Sequence, residues 1–541
     1  MSGPSTAGEW WREAVVYQVY VRSFASSGER GGGPGVGDLP GITSRLPYLR
    51  DLGVDAVWIT PFYTSPQHDH GYDVADYRDV DRLFGTLDDA DRLLATAHEL
   101  GLKLIVDLVP NHTSSDHVWF QAALAAAPGS PERARYLFRD GKDGAEGPGS
   151  EPPNNWQSVF GGPAWTRVTD DGRPGQWYLH LFDSSQPDLD WRNPEIGDMF
   201  ESVLRFWLDR GVDGFRVDVA HGLLKVESLP DQEQVLPPPG PDALPASMVE
   251  RTQDDEPMWD QPEVHEVYRR WHRVLAEYSA DGAERMAVAE AWTRTPESMA
   301  RYVRPDEMQQ AFNFGWLLAP WSAAAFGEVV TGTFAALDPV GATPTWVLSN
   351  HDVVRHVTRY GGGERGLARA RAATLTMLGL PGSSYLYQGE ELGLEEVDVA
   401  PGDRQDPSWF RTGEVGRDGC RVPVPWSGDA PPYGFGPGTE QPWIPQPLDW
   451  APLTVAAQTG ADGSTLELYR AALAARRGLP AATSVSVHVE GDVLLVERGD
   501  VTIALNCGTS DAPLPTGDVL LASGLCGDTL PADTAVWVRR R

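Results

Sequence analysis

Three times in this chain of 541 residues a helical run ends in glycine and passes directly into a short apolar strand. The three are YLRDLGVDAVWIT (48–60), AHELGLKLIVDLVP (97–110) and FWLDRGVDGFRVDV (206–219). Glycine just past a helix end supplies a left-handed cap, and the β-branched run behind it reads as a strand buried in a parallel sheet. The helix before the second strand is legible from its start, with Thr86 as N-cap and Asp89 three positions on. Leu87, Ala90, Leu93, Leu94, Ala97 and Leu100 then recur at helical spacing. Further strand candidates lie near 14–21, 286–292, 309–315, 344–350 and 383–389. About eight buried strands with helices between them predict an α/β fold, a (β/α)8 barrel.

Two stretches interrupt this alternation. Residues 113–190 follow the third strand, are rich in Gly, Pro, Asn and Trp, and are too long for a structureless loop. They predict a small inserted subdomain. Residues 229–262 are acidic and Pro-rich and read as a surface excursion on a βα loop. Beyond about 450 a helix-like STLELYRAALAARRG precedes the short strands VSVHVE, DVLLVER, VTIALN and TAVWVRR, a pattern expected of a C-terminal antiparallel β-sandwich. The expected division is therefore a barrel over 1–112, an inserted domain over 113–190, the rest of the barrel over 191–452, and a C-terminal helix and sandwich over 453–541.

Composition narrows the function classes. A net charge of −33 repels nucleic acid and anionic membrane surfaces and is compatible with a neutral substrate. The three cysteines, 420, 507 and 526, are widely spaced and form no C-x-x-C pair, so a reducing compartment without a zinc site is expected, although a 507–526 bridge stays open. The first twenty residues lack a basic start and an apolar core, and nothing later approaches 18 uninterrupted apolar residues. A cytoplasmic protein is expected. The 20 Trp residues fit barrel interfaces, with a sugar-binding cleft as the functional alternative.

Three carboxylates fall just past the C-terminal ends of different strands: Asp218, Glu290 and Asp352. Asp107, His112 and His351 occupy equivalent edges. In a parallel barrel all such ends open onto one face, so residues distant in sequence converge there. Glycoside cleavage needs such a set: one carboxylate ionised to attack the anomeric carbon, another holding a proton for the leaving oxygen. Arg216 lies two residues before Asp218, on the same side of the strand, where its guanidinium is expected to keep Asp218 anionic. Apolar neighbours in sequence (Val288, Ala289, Ala291 and Trp292) are expected to raise Glu290 toward the range of a general acid.

DLVPNH (107–112), GFRVD (214–218), VAEAW (288–292) and LSNHD (348–352) resemble the four signature regions of glycoside hydrolase family 13, the α-amylase family. QPDLDW (186–191) resembles the marker of its α-glucosidase and oligo-1,6-glucosidase branch, as do SPQHDHGYDVADY, NNWQSVFGGPAW, YLHLF, YLYQGEELG and GRDGCRVPVPW. The resemblance extends to about residue 426. It implies Asp218 as nucleophile, Glu290 as acid/base and Asp352 as the carboxylate that grips sugar hydroxyls. It further implies His112 and His351 as hydrogen-bonders to glucose, Tyr72 as its stacking platform, and Phe160 and Phe182 as pocket walls. Asp69 and Arg417 match a pair that closes the pocket behind the terminal sugar, which implies release of one glucose at a time from short oligosaccharides.

Two departures matter. Many relatives bind calcium in an Asp-rich loop after the first strand, whereas residues 23–39 hold Asp38 as their sole aspartate. No metal and no cofactor are expected there. Val219 follows the nucleophile, a position where Val accompanies α-1,6 cleavage and Thr or Ala accompanies α-1,4 in this branch, while the continuation AHGL is unlike the usual oligo-1,6-glucosidase. A methyl-scale difference discriminates by only about 1–3 kcal/mol. The expectation is a retaining α-glucosidase active on α-1,4 linkages with some α-1,6 activity. An oligo-1,6-glucosidase or a transglucosylating enzyme is the alternative, and a non-catalytic sugar-binding or transporter-associated protein the rival class. A monomer or homodimer is expected.

Overall fold

The structure, a computed structural model, describes residues 9–170, 173–232, 256–279 and 283–541. Eight parallel strands form the central sheet: β1 (Val15–Val19), β2 (Ala56–Ile59), β3 (Lys103–Leu108), β4 (Gly214–Val217), β5 (Met286–Ala289), β6 (Gln310–Ala311), β7 (Thr345–Val347) and β8 (Ser383–Tyr387). They run in the order β6-β5-β4-β3-β2-β1-β8-β7. The parallel bridge between Asn313 and Trp346, just past β6 and on β7, closes the ring. The eight strand regions expected from the sequence are all present, and the (β/α)8 barrel stands.

The local chemistry behind this is as read. Gly53, Gly101 and Gly211 carry φ of 101°, 78° and 101°, which turn each helix end into the next strand without a Cβ clash. Thr86 and Asp89 form the reciprocal capping box of the helix Leu87–Glu99. The tryptophans Trp207, Trp271, Trp316, Trp346 and Trp537 are fully buried, so for these five the packing reading is the right one.

Between β3 and β4 the inserted region carries a helix, Val118–Ala125, and a three-stranded antiparallel sheet of Phe138–Arg139, Arg173–Leu179 and Trp165–Asp170. Lys225, wholly buried, binds Asp188 of this region at 2.6 Å and Asn111 behind β3 at 2.8 Å. One cation thus ties the insertion to the barrel top. Of the Pro-rich stretch 229–262, residues 233–255 lie outside the described residues. Its near flank docks on the insertion, where Leu229 and Pro230 carbonyls accept hydrogen bonds from Asn154 and Trp156.

At the C-terminus five antiparallel strands pair in the order 486–490, 493–498, 501–506, 534–539, 518–522, with a two-stranded ribbon at Ala512–Pro513 and Thr529–Leu530. Leu530 of the ribbon joins Ala504, Val536 and Val538 in a small core on one face. The other face lies on the helix Gly363–Gly379, where Trp537 donates its indole N–H to the Leu375 carbonyl. Cys420, Cys507 and Cys526 are all unpaired. Among the described residues no helix is long and apolar enough to cross a membrane.

Asp38 is buried and caps the helix Leu39–Leu52, accepting from the Gly41 amide at 2.6 Å and from the Ser27 amide and hydroxyl at 3.1 and 2.7 Å. Replacing Asp38 by Ala strips the cap and leaves these donors unmet, a cost of about 1–2 kcal/mol. A lowered thermal unfolding temperature of Asp38→Ala, measured by calorimetry, is the expected outcome.

Candidate active site

The residues expected at the site gather at the C-terminal rim of the barrel. Asp218 directly follows β4 and Glu290 directly follows β5, two neighbouring strands in register. Asp352 lies in the loop after β7, Asp69 and Tyr72 after β2, His112 after β3, and Arg417 after β8. The common opening of parallel strand ends brings them together.

Arg216, on β4 and 1% exposed, is the hub. Its Nη1 lies 2.8 Å from Asp107 Oδ1 and 2.6 Å from Asp218 Oδ1, and its Nη2 lies 3.0 Å from Glu290 Oε2. Asp107 sits on β3 in register with Arg216 and also accepts from Trp58 Nε1 and Tyr72 Oη at 3.1 and 3.0 Å. Three carboxylates therefore share one guanidinium. Burial pushes Asp218 well above the usual carboxylate range; Arg216 pulls it back, while Glu290, Asp107 and Asp352 push it further up. This corrects the expectation that Arg216 simply holds Asp218 low. One cation cannot keep a whole cluster of buried carboxylates ionised, and burial likewise lifts Asp107 to about 6 against the same arginine.

Glu290 is also differently placed than its sequence neighbours suggest. Its Oε2 accepts from the Val219 amide at 2.9 Å, and its Oε1 accepts from Trp292 Nε1 at 3.0 Å. Two hydrogen-bond donors and the Arg216 cation, rather than an apolar pocket, surround the carboxylate. The Val219 amide reaches it because Val219 adopts φ of 47°, a left-handed conformation that a β-branched residue rarely tolerates.

A second arginine centre faces the first. Arg417 binds Asp69 Oδ1 at 2.9 Å, Asp352 Oδ1 at 2.9 Å and Asp406 Oδ2 at 2.6 Å. The expected Asp69–Arg417 pair is thus formed. Its guanidinium carbon lies 4.9 Å from the centre of the Phe160 ring, and Phe160 meets Phe182 edge-on at 5.8 Å. Arg421, missed in the sequence although it stands four positions after Arg417 in the same motif, binds Asp352 Oδ1 at 2.9 Å. Burial would raise Asp352, but His351 and the guanidiniums of Arg417, Arg421 and Arg216 together hold it below the usual range. Asp69, with a single arginine contact, is instead lifted by burial to about 6.

The two histidines take different parts. His112 is engaged, its Nε2 lying 3.1 Å from the Tyr72 carbonyl and its Nδ1 3.1 Å from Asn111 Nδ2. Burial lowers it to about 4, so it stays neutral at physiological pH. His351 is held at Nδ1 by Gln18 at 2.7 Å, while its buried Nε2 has no hydrogen-bond partner and lies 3.3 Å from Asp352 Oδ2. The His351 ring stacks on Tyr72 at 5.2 Å and 10°. Asp406 was also missed; its signal was only its spacing of eleven from Arg417. Among the described residues no group of three His, Cys, Asp or Glu is disposed to hold a metal.

The family description "alpha amylase, catalytic domain" matches residues 18–484. A probable alpha-glucosidase of Rhizobium meliloti is 40% identical over 506 residues, covering 91% of this chain and 86% of that protein. An oligo-1,6-glucosidase of Parageobacillus thermoglucosidasius is 35% identical, with 86% of this chain and 84% of that protein covered. The crystal structure of an alpha-glucosyl transfer enzyme superimposes with a TM-score of 0.85 at 38% identity, over 98% of this chain and 99% of that one.

Removing the hub cation leaves three buried carboxylates without their countercharge. Arg216→Met should cost about 3–5 kcal/mol of stability. Carboxyls held high by burial bind protons more tightly folded than unfolded, so their contribution falls as pH rises. The loss in unfolding temperature should therefore be larger at pH 8 than at pH 5, as thermal scans at both will measure.

Proposed function

The chain belongs to the α-amylase catalytic-domain family, and from that premise we propose that it is a retaining, exo-acting α-glucosidase that releases glucose from short α-glucosides. The observation that carries this reading is the placement of Asp218 and Glu290 on the two terminal nitrogens of one guanidinium, 2.6 and 3.0 Å away. Two carboxylates held side by side suit double displacement, which requires about 5–5.5 Å between them, better than inversion, which leaves room for a water.

In this scheme Asp218 attacks the anomeric carbon while Glu290 gives its proton to the departing oxygen. Water then attacks the glycosyl-enzyme bond, returning its proton to Glu290 and freeing Asp218. Asp352, kept ionised by Arg417 and Arg421, grips sugar hydroxyls and steadies the oxocarbenium-like transition state. His351 Nε2, without a hydrogen bond in the protein, is a donor for the same sugar. The Asp69–Arg417 pair, with Phe160 against the guanidinium, forms the closed end that limits cleavage to one terminal glucose. Tyr72, His112 and Phe182 complete the walls.

The 23–39 loop is read as metal-free, because the Asp38 carboxylate is engaged as a helix cap. Treatment with a chelator should leave turnover unchanged. The unpaired cysteines support a cytoplasmic setting.

Linkage preference is set at the wall to which Val219 contributes, and activity on maltose with weaker activity on isomaltose is proposed. Equal-concentration kinetics on both sugars test this, and inactivity on maltose refutes it. Glu290→Gln should lower kcat by several orders of magnitude while substrate still binds; unchanged turnover would refute the acid/base role. Proton NMR should show α-glucose as the first product. Asp218 must be ionised to attack and burial pushes it upward, so kcat/KM should fall on the acid side well above pH 4, the range of an exposed carboxylate at about 3.9. Arg216→Lys, which cannot span three carboxylates, should move that acid limb higher still.

A further inference from the structure

The hydrogen bonds on Glu290 divide its two oxygens. A carboxylate offers about four lone-pair positions, two on each oxygen. Oε2 accepts the Val219 amide N–H at 2.9 Å and has the Arg216 Nη2 cation 3.0 Å away in an ion pair. On Oε1 one is filled, by the indole N–H of Trp292 at 3.0 Å. A proton on Oε2 would face an N–H donor and a cation, so the second lone pair of Oε1 is the position that suits it.

The indole is itself fixed. Trp292 stacks on Phe314 with ring centres 3.6 Å apart and planes 3° from parallel. Phe314 rests against Phe312 at 5.8 Å, and Phe312 against Trp58 at 5.8 Å. Trp58 in turn donates to Asp107 at 3.1 Å. All four rings are buried in one cluster, and they give the Trp292 N–H one direction.

We propose that Trp292 is a positioning residue for proton transfer: its N–H occupies one side of Glu290 Oε1 and so places the transferable proton on the other side, facing the glycosidic oxygen. This rests on Glu290 being the acid/base. When Glu290 releases its proton to the leaving oxygen, Oε1 gains negative charge and the indole hydrogen bond strengthens. An interaction stronger after transfer than before lowers the barrier of the step. In the second step the water's proton returns to the same open position on Oε1. The charged groups facing Glu290 are Arg216, Asp218 and Asp107. None of them contacts Oε1, which leaves that oxygen to Trp292.

Trp292→Phe keeps an aromatic ring against Phe314 and removes the N–H. On maltose, kcat/KM should fall on the order of ten-fold with KM little changed, because a weaker acid protonates the leaving oxygen less readily. The ionised form of Glu290 loses a donor, so the basic limb of the pH profile should move up by about one pH unit. α-Glucosyl fluoride carries a leaving group that needs little protonation, and its kcat/KM should stay within about three-fold. An equal loss on both substrates, or an unmoved basic limb, would overturn the proposal and make the indole a packing residue. Should Trp292→Phe fail to fold, Phe314→Leu keeps the N–H but frees its direction. The same substrate-selective loss, smaller in size, is then expected, and a loss without selectivity or no loss at all overturns the proposal. Glu290→Gln separates the premise: if it retains maltose turnover the acid/base assignment fails, and if it loses turnover while the Trp292 and Phe314 variants show no selectivity, this inference alone fails.

Discussion

One buried guanidinium governs the site. Arg216 is held on β4 by the barrel itself, and it meets Asp107 from β3, Asp218 from its own strand and Glu290 from β5. Adjacent strands in register put these side chains within reach of one planar cation, which can serve several oxygens at once as a lysine could not. Burial gives the contacts their strength and also their tension. A lone arginine cannot compensate every carboxylate in a low-dielectric space, so Asp218 is pushed upward.

The opposite wall solves a different problem. Asp352 lies between two guanidiniums, Arg417 and Arg421, and is held firmly ionised. Asp69 contacts Arg417 directly and is lifted by burial to about 6, against the pull of Arg417 and Arg421. Arg417 thus divides its charge among Asp69, Asp352 and Asp406 while its flat face lies by Phe160.

Support from behind the site is aromatic and steric. Trp58 and Trp292 each donate an indole N–H to a carboxylate at the hub, and Phe312 and Phe314 fill the space between them. Val219 holds a left-handed turn so that its amide can reach Glu290. That conformation costs on the order of 1–3 kcal/mol and persists only where the surroundings over-determine it. Its side chain is packed with Leu229 and Trp259, at the flanks of the Pro-rich stretch, and with Leu181 of the insertion. Residues far from the chemistry thereby hold an amide at its centre.

The eight strands, the glycine caps, the Thr86 capping box and the strand-end carboxylates were legible in the sequence, because each depends on neighbours within a few residues. Arg216 beside Asp218 followed from strand alternation, and Asp69 with Arg417 from the resemblance. The surroundings of Glu290 were misread from its apolar neighbours in sequence, since its real contacts come from Arg216 and Val219, more than 70 positions away, and from the rotation of one indole. Arg421 stood in the same motif as Arg417, and Asp406 carried only its spacing of eleven from Arg417. The sequence by itself determined a barrel that must open its carboxylates onto one face. Only the tertiary structure decided which of them share a cation, because long-range charge pairing depends on distances of a few ångströms that no local pattern encodes.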